Sequence, residues 1–147
     1  VGMDEQSFVG TQRMNGYREA MAEHSLSIDE DWLVPGYFTF EDGEAAMQHF
    51  GKQTAVTAII ANSDLTAIGV IDQARDYGLE VPAQLSVMSI DGTKLTRIFR
   101  PTITSVTQDF FQIGRAGCAA LLTGDNDPIQ SKFLPIKVVE RNSTRPL

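Results

Sequence analysis

The sequence has almost no material for covalent cross-linking: its 147 residues include one cysteine, Cys118. A single thiol excludes an intrachain disulfide framework and fits a reducing compartment, so a cytoplasmic location is expected. Positive charge is also scarce, with 12 Lys and Arg against 19 Asp and Glu, a net charge of -7. That balance argues against this segment gripping nucleic acid or an anionic membrane by itself. No apolar run approaches the roughly 18 residues of a membrane span.

Motifs for chemistry are missing too. There is no Gly-x-Gly-x-x-Gly, no phosphate-binding Gly-x-x-x-x-Gly-Lys-Ser/Thr and no Gly-x-Ser-x-Gly. Gly51-Lys52 lacks both the upstream glycine and the hydroxyl residue that should follow the lysine. His24 and His49 have no metal-ligand spacing with other candidates. Cys118 lies in an apolar helical stretch, where packing is the expected role. No catalytic residue, metal or cofactor is therefore expected.

What is present is an alternation of helical and strand periods in a chain that is 42% hydrophobic and 21% charged. Residues 7–24 read as a helix with Met14, Tyr17, Ala20 and Met21 near one face. Residues 32–38 read as a strand, placed at an edge by Pro35. A helix is predicted over 42–50, with Ala46, Met47 and Phe50 together. The apolar run 56–61 predicts a strand buried on both faces, as in a parallel sheet.

Residues 64–77 predict a helix that Gly78 ends, with Pro82 beyond it. Strands follow over 85–90 and 102–107, then a helix over 109–122 whose Gly114 and Gly117 could allow close packing. A loop over 124–128, a strand over 133–139 and a polar tail complete the chain. Val1-Gly2-Met3 reads as the tail of a strand begun upstream. The expected class is α/β, a parallel sheet flanked by helices and joined by right-handed crossovers.

Ligands of open parallel sheets bind beyond the carboxyl ends of the strands. At those ends stand Phe38, then Asn62-Ser63-Asp64, then Asp91-Gly92, then Gln108 and Phe110. Hydrogen-bonding side chains mixed with rings suit a sugar-like ligand, whose hydroxyls take forked bonds and whose C–H faces lie on rings. Each residue also has a plainer reading. Asp64 fits a helix cap, Asp91 before Gly92 a turn, Phe38 and Phe110 the core, and Arg13 a solvated charge. Convergence at the strand ends carries the case.

At these residues the chain resembles the effector-binding domain of the LacI/GalR family of bacterial transcription regulators. Arg13-Met14-Asn15-Gly16-Tyr17 is similar to the family's Arg-x-x-Gly-aromatic helix start, and Gly36-Tyr37-Phe38-Thr39 to its Gly-x-aromatic-Ser/Thr strand end. The stretch from Ala61 to Gly69 resembles its Asn/Ser-Asp-x-x-Ala-x-Gly segment. Gly78-Leu79-Glu80-Val81-Pro82, Ile90-Asp91, the run from Arg100 to Val106 and the closing run from Val139 to Thr144 follow in order. Two departures stand out: Ser89-Ile90 where the family often has glycine and an aromatic, and Ser63 where asparagine is common.

The resemblance implies a two-lobed, periplasmic-binding-protein-like fold of which this chain is mostly the C-terminal lobe. Residues 1–107 would form that lobe, 108–131 would cross into the N-terminal lobe, and 132–147 would return. It implies effector contacts from Arg13, Phe38, Ser63, Asp64, Asp91, Gln108 and Phe110. It also implies a repressor-type regulator that binds a sugar or sugar phosphate between its lobes, and operator DNA through an N-terminal helix-turn-helix outside this chain. A homodimer is expected from Leu95, Ile98 and Phe99 together with the helix that starts at Asp64. A periplasmic sugar receptor shares the fold and the pocket logic; an enzyme on the same kind of sheet is the third reading.

Overall fold

The computed structural model describes residues 1–4, 6–122 and 133–146. Four strands, β1 (Ala58–Ile60), β2 (Ser86–Asp91), β3 (Thr104–Thr107) and β4 (Lys137–Val139), form a sheet in that order. β1, β2 and β3 run parallel, with Ile59 opposite Val87 and Ser89 opposite Ser105; β4 returns antiparallel, with Val138 opposite Val106. The α/β class and the parallel central strands agree with the sequence reading.

The sheet continues beyond β1 through Val1–Met3. Val1 donates to the Ile60 carbonyl and accepts from the Asn62 amide, and on its other side Gly2 donates to Val34. Pro35 pairs with Met3 in one isolated parallel bridge. The strand expected over 32–38 therefore shrinks to that bridge. Residues 30–32 wind into a short 3-10 turn instead, and Pro35 brings no amide to a ladder.

Five helices are described: α1 (Phe8–Glu23), α2 (Phe40–Phe50), α3 (Asp64–Asp76), the single turn α4 (Leu95–Ile98) and α5 (Phe110–Leu122). Side-chain caps set where three of them begin. Ser7 accepts from the Gly10 amide, Thr39 and Asp42 form a reciprocal capping box, and Ser63 accepts from the Thr66 amide. The capping box starts α2 two residues before the expected start. Gly78, at φ 76°, ends α3 as expected.

α2 and α3 pack together on one face of the sheet. Met47, Val70, Ile71, Ile59, Leu85, Val87 and Ile103 form the core there. Each such side chain contributes roughly 1.5–3 kcal/mol by leaving water. The two helices approach backbone to backbone, since a Cβ on Gly69 would sit 2.0 Å from the Phe40 carbonyl oxygen and one on Gly43 2.1 Å from that of Thr66.

By register, Ile60, Met88, Ile90, Val106 and Val138 share the other face. Ile60 and Val138 are exposed there. The expectation that the 56–61 strand is buried on both faces thus fails among the described residues, because its helices α2 and α3 cover one face only. α5 has no buried residue. Cys118 is exposed on it rather than packed, and Gly114 and Gly117 have nothing within 4 Å of where a Cβ would stand. The loop expected over 124–128 lies outside the described residues.

The tail is tied into the sheet by Ser143. Its hydroxyl accepts from the Thr104 amide at 2.8 Å and donates to the Val87 carbonyl, while its own carbonyl accepts from the Val87 amide. No described helix is long and apolar enough to cross a membrane.

Candidate effector site

The strand carboxyl ends meet on one side of the sheet. Phe38 is held there in a left-handed backbone conformation, φ 68°. The Asp42 carboxylate accepts from the amides on both sides of it, Tyr37 and Thr39, each at 2.7 Å. The Ser63 hydroxyl donates to the Phe38 carbonyl at 2.8 Å. A non-glycine residue in that region persists when its surroundings over-determine it, and three bonds do so here.

Arg13, from α1, reaches into this corner. Its Nη1 donates to the carbonyl oxygen of Asn62 at 3.0 Å and also to the Asn62 side-chain oxygen. Its guanidinium carbon lies 6.0 Å from the centre of the Phe38 ring, within cation–π range. Asp91 ends β2, again with a positive φ, 108°. Gln108 Nε2 donates to its carboxylate at 2.9 Å, and the Gln108 amide donates to its carbonyl at 3.1 Å. Arg13, Phe38, Asp91 and Gln108 are all half-buried.

Arg13 and Asp91 sense each other's charge. Burial pushes the Asp91 carboxyl above its ordinary range; Arg13 pulls it back, while nearby Asp64 pushes it further up. Burial likewise lowers the proton affinity of Arg13, and Asp91 raises it again. Arginine remains protonated throughout the physiological range. The site thus offers a fixed cation, a carboxylate acceptor and a ring face around one corner.

Two of the expected contacts are turned inward. Ser63 is buried and caps α3, so it is Ser63 and not Asp64 that takes the capping role; its hydroxyl is occupied by Phe38 and Thr66. Asp64 is only 2% exposed, and its carboxylate accepts from Ser89, Thr93, Gly92 and Ser105. Phe110 opens α5, exposed, two residues after Gln108. Asn62 was expected at a strand end but not as an effector contact, and Asp42 had no expected role; Asn62 seats Arg13 and Asp42 shapes the Phe38 turn. The Thr39-x-x-Asp42 spacing is a readable capping signal; the Arg13–Asn62 pairing spans 49 residues and leaves no local trace.

A cavity of about 340 Å³ lies elsewhere, lined by Ile71, Arg75, Leu79, Pro82 and Pro101 near the amino ends of β2 and β3. It shares no residue with the strand-end cluster.

The model of the periplasmic binding protein-like domain matches residues 1–144. The chain belongs to that family. Its relatives group it with the effector-binding domains of LacI/GalR regulators, as the motif order implied. The HTH-type transcriptional repressor CytR of Escherichia coli (strain K12) is 33% identical over 139 residues, covering 92% of this chain and 41% of CytR. A transcription regulator from Lactobacillus plantarum superposes with a TM-score of 0.93 at 43% identity, covering 97% of this chain and 56% of that one. The LacI family regulator CCPA from Weissella paramesenteroides, solved with bound sucrose, gives a TM-score of 0.81 at 32% identity, covering 92% and 50%. The chain spans about two fifths of the curated relatives it matches. Those relatives are transcription regulators, not enzymes.

Proposed function

We propose that this chain is the C-terminal lobe of the ligand-sensing domain of a cytoplasmic, DNA-binding repressor, and that it binds a neutral carbohydrate at the ends of its strands. The observation that carries this reading is the corner formed by Arg13, Phe38 and Asp91. A guanidinium and a carboxylate give forked bonds to vicinal hydroxyls, and the ring takes the apolar C–H face. The sucrose bound to the Weissella relative supports a sugar. A sugar phosphate fits less well, because the Asp91 carboxylate would repel the phosphate that Arg13 attracts.

Residues 1–107 and 132–147 form the lobe in this reading, and 108–131 cross to a second lobe that closes over the sugar. The uncovered α5 supports this: Phe111 and Leu121 are 75% and 85% exposed on it, a surface that calls for a partner. Gln108 and Phe110 stand at the crossing, so sugar bound to Asp91 also senses the second lobe. The sugar favours whichever lobe arrangement it contacts best, and shifts operator binding by that differential affinity alone. Operator contact comes from a helix-turn-helix segment preceding this lobe. Leu65 of α3 and Ile98, 69% exposed on α4, support a homodimer through that side.

Calorimetric titration with sucrose, glucose and cellobiose tests the pocket. Binding of one of them that weakens at least ten-fold in both Arg13→Ala and Asp91→Ala is expected. Unchanged affinity in both variants removes the site assignment. Sedimentation equilibrium tests the dimer, which Ile98→Asp should dissociate.

A further inference from the structure

Asp64 is the first residue of α3, and neither of its carboxylate oxygens faces the pocket. Oδ2 accepts from the Thr93 amide at 2.6 Å. Oδ1 accepts from the Ser89 hydroxyl at 2.6 Å, with the Gly92 amide at 3.4 Å and the Ser105 hydroxyl at 3.5 Å. The two amides belong to the residues immediately after Asp91. The two serines are fully buried on adjacent strands, β2 and β3.

We propose that Asp64 is a positioning residue of the pocket: its buried carboxylate clamps the turn after β2 and thereby aims Asp91 at the ligand. This deepens the reading of Asp91 as a sugar contact and rests on it. Asp91 leaves its strand at φ 108° and Gly92 follows at φ 74°. Such a turn holds its shape only if bonds hold it. On one side Gln108 supplies them, through its amide and its Nε2. On the other side Asp64 does. A side chain at Gly92 would meet Thr107 at 2.3 Å, so the turn is also pressed against β3.

The chemistry requires a carboxylate at position 64. It must accept from an amide on one oxygen and from hydroxyls on the other, and an ionised carboxylate is acceptor-only. The serine hydroxyls can turn to accept, but the Thr93 amide on one oxygen and the Gly92 amide on the other can only donate. An asparagine fills the same space but turns its NH2 towards one of these amides and leaves it unpaired. The Ser89 hydroxyl makes one of the two shortest bonds to the clamp. In this chain Ser89 braces the Asp64 carboxylate but does not hold the turn. The two serve different ends, and that difference is testable.

The test uses 15N-labelled 147-residue chain and follows the Gln108 side-chain amide, whose bond to Asp91 marks the aimed state. Asp64→Asn is expected to lose the protection of that amide against solvent exchange, and to weaken any sucrose binding at least ten-fold. Ser89→Ala is expected to lower the melting temperature while leaving the Gln108 signal in place. A protected Gln108 amide in folded Asp64→Asn overturns the proposal. If Asp64→Asn does not fold, amide exchange in the parent chain decides: Thr93 must exchange as slowly as the β2 amides, and exchange at an exposed-loop rate overturns the clamp. Because the amide signals need no sugar, failure of the clamp is distinguishable from failure of the sugar reading, which would leave Gln108 protected and sucrose unbound.

Discussion

The Ser63 hydroxyl donates to the Phe38 carbonyl across 2.8 Å while accepting from the Thr66 amide at 3.0 Å. One side chain therefore both starts α3 and holds the Phe38 turn at the strand ends. Ser63→Ala removes a helix cap, costing about 1 kcal/mol, and leaves the Phe38 carbonyl without that donor, costing about 1 kcal/mol more. A drop in the urea midpoint corresponding to a total near 2 kcal/mol is expected. A loss within ~0.5 kcal/mol would mean that the Phe38 turn holds without it.

Two glycines in helices should respond with opposite signs to the same change. Gly16 lies in α1 with nothing within 4 Å of a Cβ, so Gly16→Ala should stabilise by about 0.5–1 kcal/mol through helix propensity. At Gly69 the same Cβ would lie 2.0 Å from the Phe40 carbonyl oxygen, backbone that cannot give way alone. There the overpacking cost, about 1–3 kcal/mol or more, outweighs the propensity gain. Gly69→Ala is expected to lower the melting temperature. Paired thermal melts check both signs.

At the proposed site, Asp91 carries a stability cost. Its folded pKa lies above the ordinary 3.8, chiefly because burial disfavours the charge. Below 3.8 the group is protonated whether the chain is folded or not, and it imposes no penalty. As pH rises through the window above 3.8, the unfolded chain ionises first and stability falls; above the folded pKa the penalty is constant. Asp91→Asn should therefore melt higher than the parent at neutral pH, with the difference vanishing at about pH 3. Solvent screening keeps the gain modest at this half-exposed group. A melting difference that grows towards low pH contradicts the assignment.

Arg13 cannot be exchanged for lysine without loss. Lysine keeps the charge but loses the planar group that binds both Asn62 oxygens and lies near the Phe38 ring. Arg13→Lys is expected to weaken sugar binding about ten-fold, a change of about 1.4 kcal/mol, with the melting temperature little altered. Calorimetry beside a thermal melt separates the two effects.

The elements with strong local signals were legible in the sequence: the α3 pattern from Ala67 to Ala74, the stop at Gly78, and the β-branched strand around Val106. Those that depend on distant partners were not. The strand expected over 32–38 is a case in point, since Asp42 and Ser63 capture the hydrogen-bonding groups around Phe38 and leave one bridge at Pro35. Among the site residues, Phe38, Asp91 and Gln108 stand at the strand ends as the sequence implied, and Arg13 reaches them from α1, as the family resemblance implied. Ser63 and Asp64 occupy the same strand end but face inward, because helix capping and the β2 turn claim their oxygens.

By itself the sequence determined the order of strands and helices, and hence which residues lie at the carboxyl ends of the sheet, because periodicity and crossover handedness are local properties of the chain. Tertiary structure alone decided which of those residues stay open at the strand-end corner and which turn inward. That choice depends on hydrogen-bond partners 25 to 49 residues away, such as Phe38 for Ser63, Ser89 for Asp64 and Asn62 for Arg13. A buried polar group goes where its partner is, and no local pattern records the partner's position.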